Sequence, residues 1–223
     1  MDKQLFRAAL TKFVAGVVVL GMLLFLPAGT LAWWRGWLLM GVLFVPMFAA
    51  GLVMMAKAPD LLRKRLDANE DEPEQRVVIA LSTLMFVAAF VVAGLGHRLG
   101  WPSFPSWVSW LGAVTFLASY VLYAEVMREN AYLSRTVEVQ EGQHVVDTGL
   151  YGIVRHPMYS TTLLLFLSMP VVLGSPFSLA ILLAYPLIIA KRIRNEEAVL
   201  ARDLPGYDAY LRKVRWRLIP HVW

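Results

Sequence analysis

The partition of charge along this chain limits what it can fold into. Four long apolar runs, 13–28, 37–56, 77–96 and 108–127, are separated by polar connections that hold nearly all the nearby charge. Each run is close to the roughly 20 residues a helix needs to cross the hydrocarbon of a bilayer. Two shorter runs, 159–173 and 177–189, flank Gly174-Ser175-Pro176. Such a turn signature predicts a tight helical hairpin, either crossing with tilt or partly re-entrant. With 58% hydrophobic residues and a mean hydropathy of +0.58, the expected class is an all-α, polytopic integral membrane protein. About five to six transmembrane helices are expected, with the short hairpin preceding a cytoplasmic C-terminal segment. The whole chain, 1–223, reads as one membrane domain, with apolar spans in 1–128 and a more polar half in 129–223.

Lysine and arginine fall in alternate loops. Lys57, Arg63, Lys64, Arg65 and Arg76 lie between the second and third runs, and Arg128, Arg135 and Arg155 precede the fifth. A further group from Lys191 to Arg217 follows the sixth, whereas the opposite loops hold only Arg35 and the His97-Arg98 pair. Because such residues are retained on the cytoplasmic side, six crossings put both termini there, in an inner or plasma membrane. The first run follows Lys3, Arg7 and Lys12 and lacks a small-residue cleavage pattern, so it is read as a retained helix. Trp33, Trp34, Trp37, Trp101, Trp107 and Trp110 read as interfacial anchors.

The net charge of +5 follows from these loops, so anionic lipid is a nearer partner than nucleic acid, for which no motif is present. The absence of cysteine excludes disulfides and thiolate chemistry. His97, His144, His156 and His221 lack metal-ligand spacing, so no metal is expected. Two polar segments interrupt the apolar pattern. Residues 67–74 read as an acidic loop, and 136–149 read as a short hairpin turning at Glu141-Gly142. His144 reads as an ordinary loop residue.

Arg155-His156-Pro157-Met158-Tyr159 sets a cation, an imidazole and a phenol at the mouth of the apolar hairpin, and Arg192, Arg194, Glu196 and Glu197 lie at its far end. If the two arms cross and return, both clusters reach one membrane face. Pro157 suits the first position of a helix, where its missing N–H costs nothing, which makes His156 the cap. The amides of such a helix start attract anions. Each cluster also has an ordinary reading, as a helix cap and a charged boundary.

Together with Gly149-Leu150-Tyr151, Gly206-Tyr207-Asp208-Ala209-Tyr210 and Arg217-Leu218-Ile219-Pro220, these residues resemble the isoprenylcysteine carboxyl methyltransferase family and its phospholipid methyltransferase relatives. The resemblance covers roughly the C-terminal half. It implies an all-helical membrane enzyme using S-adenosylmethionine, with Tyr151, His156, Pro157, Tyr159, Glu196 and Glu197 on the family's cofactor-binding motifs. Thr161 stands where many relatives carry glycine.

On this reading Glu196 and Glu197 accept from the cofactor's ammonium or ribose hydroxyls, His156 or Arg155 aids its carboxylate at the helix start, and Arg194 and Arg155 are the candidate catalytic residues. Adjacent helical residues point in different directions, so the two glutamates are expected to differ in role. A carboxylate acceptor is already ionised at neutral pH and needs only an orienting cation such as Arg194 or Arg192. An amine must first lose a proton, for which Glu196 or Glu197 is the candidate base. The expected activity is methyl transfer to a lipophilic small molecule or lipid acceptor, prenylcysteine-like or otherwise. Two alternatives stand beside it: a nicotinamide-dependent membrane reductase of sterol-reductase-like architecture, and a non-catalytic assembly or transport protein.

Overall fold

The computed structural model describes residues 2–66, 73–130, 132, 139 and 141–223. Among them the architecture is helical throughout. The long helices are α1 (Lys3–Ala28), α2 (Trp34–Lys57), α4 (Pro73–Arg98) and α5 (Ser106–Glu129), with a short α3 (Pro59–Leu66) after α2. The second half contains a 3-10 turn (Gly149–Gly152), α6 (Pro157–Val172), α7 (Pro176–Leu182), α8 (Tyr185–Asp203) and α9 (Tyr207–Lys213). Five segments are long and apolar enough to cross a membrane: α1, α2, most of α4, α5, and α7 with α8 taken together. At 16 residues, α6 is shorter, about 24 Å by helical rise.

The outer faces of these helices are apolar. Val14, Val18 and Met22 of α1 and Val114 and Val121 of α5 are exposed, as lipid-facing residues should be. Inside, Leu24, Leu39, Phe116 and Val172 are fully buried in one cluster shared by α1, α2, α4, α5 and α6. Lipid tails are as apolar as leucine, so helices in a bilayer associate through close packing. The α5–α6 contact uses this directly: a Cβ added at Gly112 would lie 2.9 Å from both Val171 Cγ1 and the Val172 backbone nitrogen. Trp34, Trp37, Trp107 and Trp110 are exposed near helix ends. Trp33 departs from the anchor reading; it is buried and stacked on His97, with ring centres 5.0 Å apart.

The hairpin forms where the sequence places it. Ser175 caps α7 by accepting from the Ser178 amide at 3.2 Å, and Pro176 takes the first turn. Its second arm is broken at Leu183-Ala184 and restarts as α8. Pro186 near the start of α8 has no N–H to continue the ladder from α7, which accounts for the break. The helix then runs on to Asp203, well past the end of the apolar run at 189, so the cluster from Arg192 to Glu197 is part of the helix itself.

Two sequence expectations fall partly outside the described residues. Of the acidic stretch, 67–72 lies outside, and Pro73 and Glu74 begin α4 instead of completing a loop. Most of the first arm of the proposed hairpin, within 136–140, also lies outside. Its turn at Glu141-Gly142 is present, with Gly142 at φ 71°, but the described return segment carries no strand.

Candidate cofactor and acceptor site

Helix α8 presents two adjacent stripes. Ile189, Ile193 and Glu197 repeat every four residues and are buried, whereas Arg192, Glu196 and Leu200 repeat at the same spacing one position earlier and line a cavity. Residues four apart share a helix face, so neighbouring glutamates have different surroundings. The rest of the cavity wall includes Asn130 beyond α5, Tyr151 in the 3-10 turn, Arg155, His156 and Tyr159 at the start of α6, and Tyr207 and Tyr210 of α9. Its enclosed volume is about 90 Å³, below the roughly 300 to 1,000 Å³ of common small-molecule sites, and about 830 Å³ when the part open to solvent is counted.

Glu197 is the hub beneath this wall. One carboxylate oxygen receives Arg155 Nη1 at 3.1 Å and lies 3.3 Å from His156 Nε2; the other accepts from Arg217 Nε at 2.8 Å. Buried with three cationic or polarisable partners, it joins α8, the start of α6 and the C-terminal segment. Arg155 spends its guanidinium on the same join, donating also to the carbonyls of Val214 at 2.6 Å and Leu211 at 3.0 Å. The backbone completes it, with the Arg155 and His156 amides donating to Trp216 and Arg217 carbonyls. His156 occupies the cap position of α6 and Pro157 the first turn, but the imidazole turns to Glu197 and makes no capping bond.

Glu196 faces the cavity. Tyr159 donates its hydroxyl to Glu196 Oε2 at 2.6 Å, and Arg192 Nε donates to the same hydroxyl at 2.8 Å. A cation, a buried phenol and a carboxylate thus form one chain along the wall. Arg194 is exposed on another face of α8 and is not among the residues lining the cavity. Thr161 is buried, and its hydroxyl donates to the Met158 carbonyl at 2.8 Å within α6.

Three tyrosines close the far side. Tyr210 donates to the Tyr151 carbonyl at 2.8 Å, fixing the 3-10 turn against α9. Burial holds the phenols of Tyr151, Tyr207 and Tyr210 above their ordinary range, with the nearby Glu197 and Glu196 charges adding to the effect at Tyr207. The Tyr207 hydroxyl is buried without a hydrogen-bond partner among the described residues. Upstream, Gly149 sits at φ 49°, and a Cβ there would lie 1.4 Å from Glu129 Oε1, so only glycine lets Glu129 accept from the Leu150 amide at 2.9 Å.

Of the residues expected from sequence, Tyr151, Arg155, His156, Tyr159 and Glu196 meet around the cavity. Glu197 supports it from behind through Arg155 and His156, and Pro157 sets the helix start. His144, read as a loop residue, also lines the cavity, with Nδ1 3.0 Å from the Tyr132 hydroxyl. Tyr207 and Leu200 acquire a place that sequence had not assigned them. The four-residue spacing of Arg192, Glu196 and Leu200 was a signal that could have found the last.

The fold and cavity define a polytopic, all-helical membrane protein whose polar site lies at one end of the bundle. Residues 110–202, a stretch shorter than half the chain, match the model of the isoprenylcysteine carboxyl methyltransferase (ICMT) family. A solved structure of a eukaryotic intramembrane Ras methyltransferase, ICMT, superposes over 92% of this chain and 74% of its own, with a TM-score of 0.58 and 20% identity. A Delta(14)-sterol reductase from Methylotuvimicrobium alcaliphilum is 26% identical over 93 residues, 40% of this chain. That match spans only 22% of the reductase. Residues 110–202 therefore carry the ICMT family pattern, and the chain has an ICMT-like polytopic membrane fold.

Proposed function

We propose that this protein is an S-adenosylmethionine-dependent methyltransferase acting on a lipophilic acceptor, a prenylcysteine-like carboxylate or a lipid group, at the cytoplasmic membrane interface. The observation that carries the reading is the convergence of Tyr151, His156, Tyr159 and Glu196 on one cavity from three separate elements. The cavity suits a polar, cationic cofactor with an aromatic base. It offers a carboxylate at Glu196 and phenol faces at Tyr151 and Tyr159, with Tyr207 also on its wall.

When bound, the cofactor supplies an electrophilic methyl group on a sulfonium. The chain's own residues do the rest. Glu196 holds negative charge toward the cofactor side, with Tyr159 fixing one of its oxygens and Arg192 fixing Tyr159. Glu197 acts at one remove, holding the His156 ring and Arg155. Transfer to an anion cancels charge as the transition state forms, so exclusion of water from the site would favour it. A carboxylate acceptor needs only orientation, for which Arg192 lies on the cavity wall. Arg155 is committed to Glu197 and two carbonyls, so an orienting role would draw on its remaining N–H groups. Arg194 would have to reach the acceptor from its exposed position on α8. An amine acceptor would call on Glu196 as base.

The test is methyl transfer from labelled S-adenosylmethionine by purified protein in lipid nanodiscs. Farnesylcysteine and an amine headgroup lipid would be offered separately, with Arg192→Lys and Arg194→Lys compared on whichever is methylated. Lysine keeps the charge and loses the planar fork, so the residue that orients a carboxylate loses turnover by about tenfold or more. Absence of labelled product from either acceptor would count against methyl transfer to these classes. The partial likeness to a sterol reductase supports a second reading, a nicotinamide-dependent reductase, which binding of the reduced dinucleotide in place of S-adenosylmethionine would favour.

A further inference from the structure

The opposite end of the bundle holds a second cavity, between the starts of α2 and α7 and the end of α4. Trp33, Arg35, His97, Trp101, Ser103 and Gly174 are on its wall, and its volume is about 690 Å³ including the part open to solvent. The chain makes room there for a guanidinium. Gly174 sits at φ 69°, and a Cβ on it would lie 2.1 Å from Arg35 Nη1. Arg35 Nη2 donates to the Phe104 carbonyl at 2.6 Å, while its buried Nε has no partner among the described residues.

What this end lacks is an anion. Its connecting segments, 29–33, 99–105 and 173–175, contain no Asp or Glu, although Arg35, His97 and Arg98 gather beside them. Among the described residues no carboxylate lies within salt-bridge distance of Arg35 or Arg98. A partly buried cation is costly without a counter-charge, and the described residues supply none. The carbonyl of Phe104 accepts one hydrogen bond but carries no charge.

We infer that this cavity binds the phosphodiester of an anionic membrane lipid, with the Arg35 guanidinium as its anchor. A planar guanidinium matches phosphate oxygens, and Arg98 adds charge nearby. The tryptophans mark the depth. Trp101 is on the cavity wall, and Trp34, Trp107 and Trp110 are exposed around it, the position aromatic rings take among lipid headgroups. Leu31, Leu99 and Phe177 lie exposed beside it, placed to meet acyl chains. A free phosphate ion shares the anion chemistry but not these apolar contacts, so the lipid is the occupant. The inference is independent of the reaction at the other end.

Native mass spectrometry of the full-length protein in detergent, titrated with phosphatidylglycerol, phosphatidylcholine or inorganic phosphate, tests it. Wild type should retain phosphatidylglycerol in preference to the other two, and Arg35→Gln should weaken that retention by about tenfold. The control Arg215→Gln, an exposed arginine of the C-terminal segment, should leave it unchanged. Because Arg35→Gln also shortens the reach to Phe104, wild type gives a second readout. A photoactivatable phosphatidylglycerol headgroup in liposomes should label peptides covering 96–104 and 173–177. Equal retention by Arg35→Gln, tighter binding of inorganic phosphate than of lipid, or labelling confined to the basic loops would each overturn the inference.

Discussion

Tyr159 donates to Glu196 at 2.6 Å across the gap between α6 and α8, and Arg192 backs the same hydroxyl from one turn earlier on α8. The phenol is 5% exposed, so its ring packs in the core while it lines the cavity. Tyr159→Phe keeps the ring and removes the link. Loss of a hydrogen bond to a charged group costs about 1.5–3 kcal/mol. S-adenosylmethionine affinity should therefore fall by about tenfold or more with thermal stability nearly unchanged, measured by binding and melting on one preparation. Undiminished affinity would remove Tyr159 from the site.

The adjacent glutamates should separate cleanly. Glu197 is surrounded by Arg155, His156 and Arg217, so Glu197→Gln strands buried positive charge and loosens the C-terminal segment. Breaking a buried pair on one side costs about 3–5 kcal/mol, and Arg217, a third exposed, brings the expectation to the lower end. Glu196→Gln should instead leave the melting temperature close to wild type and weaken the cofactor. Equal destabilisation by both substitutions would contradict the two-stripe reading of α8.

Much of this was legible in the sequence. The spans follow from uninterrupted apolar runs, and the start of α6 follows from His156-Pro157, because proline needs no amide partner there. The continuation of α8 to Asp203 was not, since hydropathy stops near 189 while the buried repeat Ile189, Ile193, Glu197 continues through charged sequence. The division of labour between Glu196 and Glu197 was expected only as a difference. Its direction depends on Arg155 and Arg217, which are 42 and 20 residues away from Glu197 in sequence and meet it only through the fold. Trp33 shows the converse: its ring belongs to the core because His97 stacks on it.

Gly149→Ala should damage the site without touching it. The new methyl would overlap the Glu129 carboxylate, and φ 49° is unfavourable for alanine, so the Glu129–Leu150 bond and the placement of Tyr151 are lost together. Reduced cofactor affinity and a lower melting temperature are expected. Wild-type values for both would show that the 3-10 turn tolerates a side chain.

Alkaline titration reads the tyrosine wall. Burial raises the phenols of Tyr151, Tyr207 and Tyr210, so the folded state holds their protons more tightly than the unfolded chain does. The stability this contributes is fully present below about pH 10, where unfolded phenols remain protonated, and is lost as pH rises through the higher folded values. Phenolate absorbance should therefore show a late group of tyrosines ionising together with unfolding. A single ordinary transition in all tyrosines of a still-folded protein would contradict their burial.

The most direct measurement is calorimetric titration of the purified protein with S-adenosylmethionine, repeated on Glu196→Gln and Tyr207→Phe. On the proposed reading Glu196 is the carboxylate facing the cofactor, and the buried Tyr207 hydroxyl, without a partner among the described residues, belongs to the same wall. Saturable one-site binding to wild type is predicted, weakened by about tenfold or more in Glu196→Gln and measurably in Tyr207→Phe. No binding of S-adenosylmethionine together with saturable binding of a reduced nicotinamide dinucleotide would contradict the account and favour a reductase.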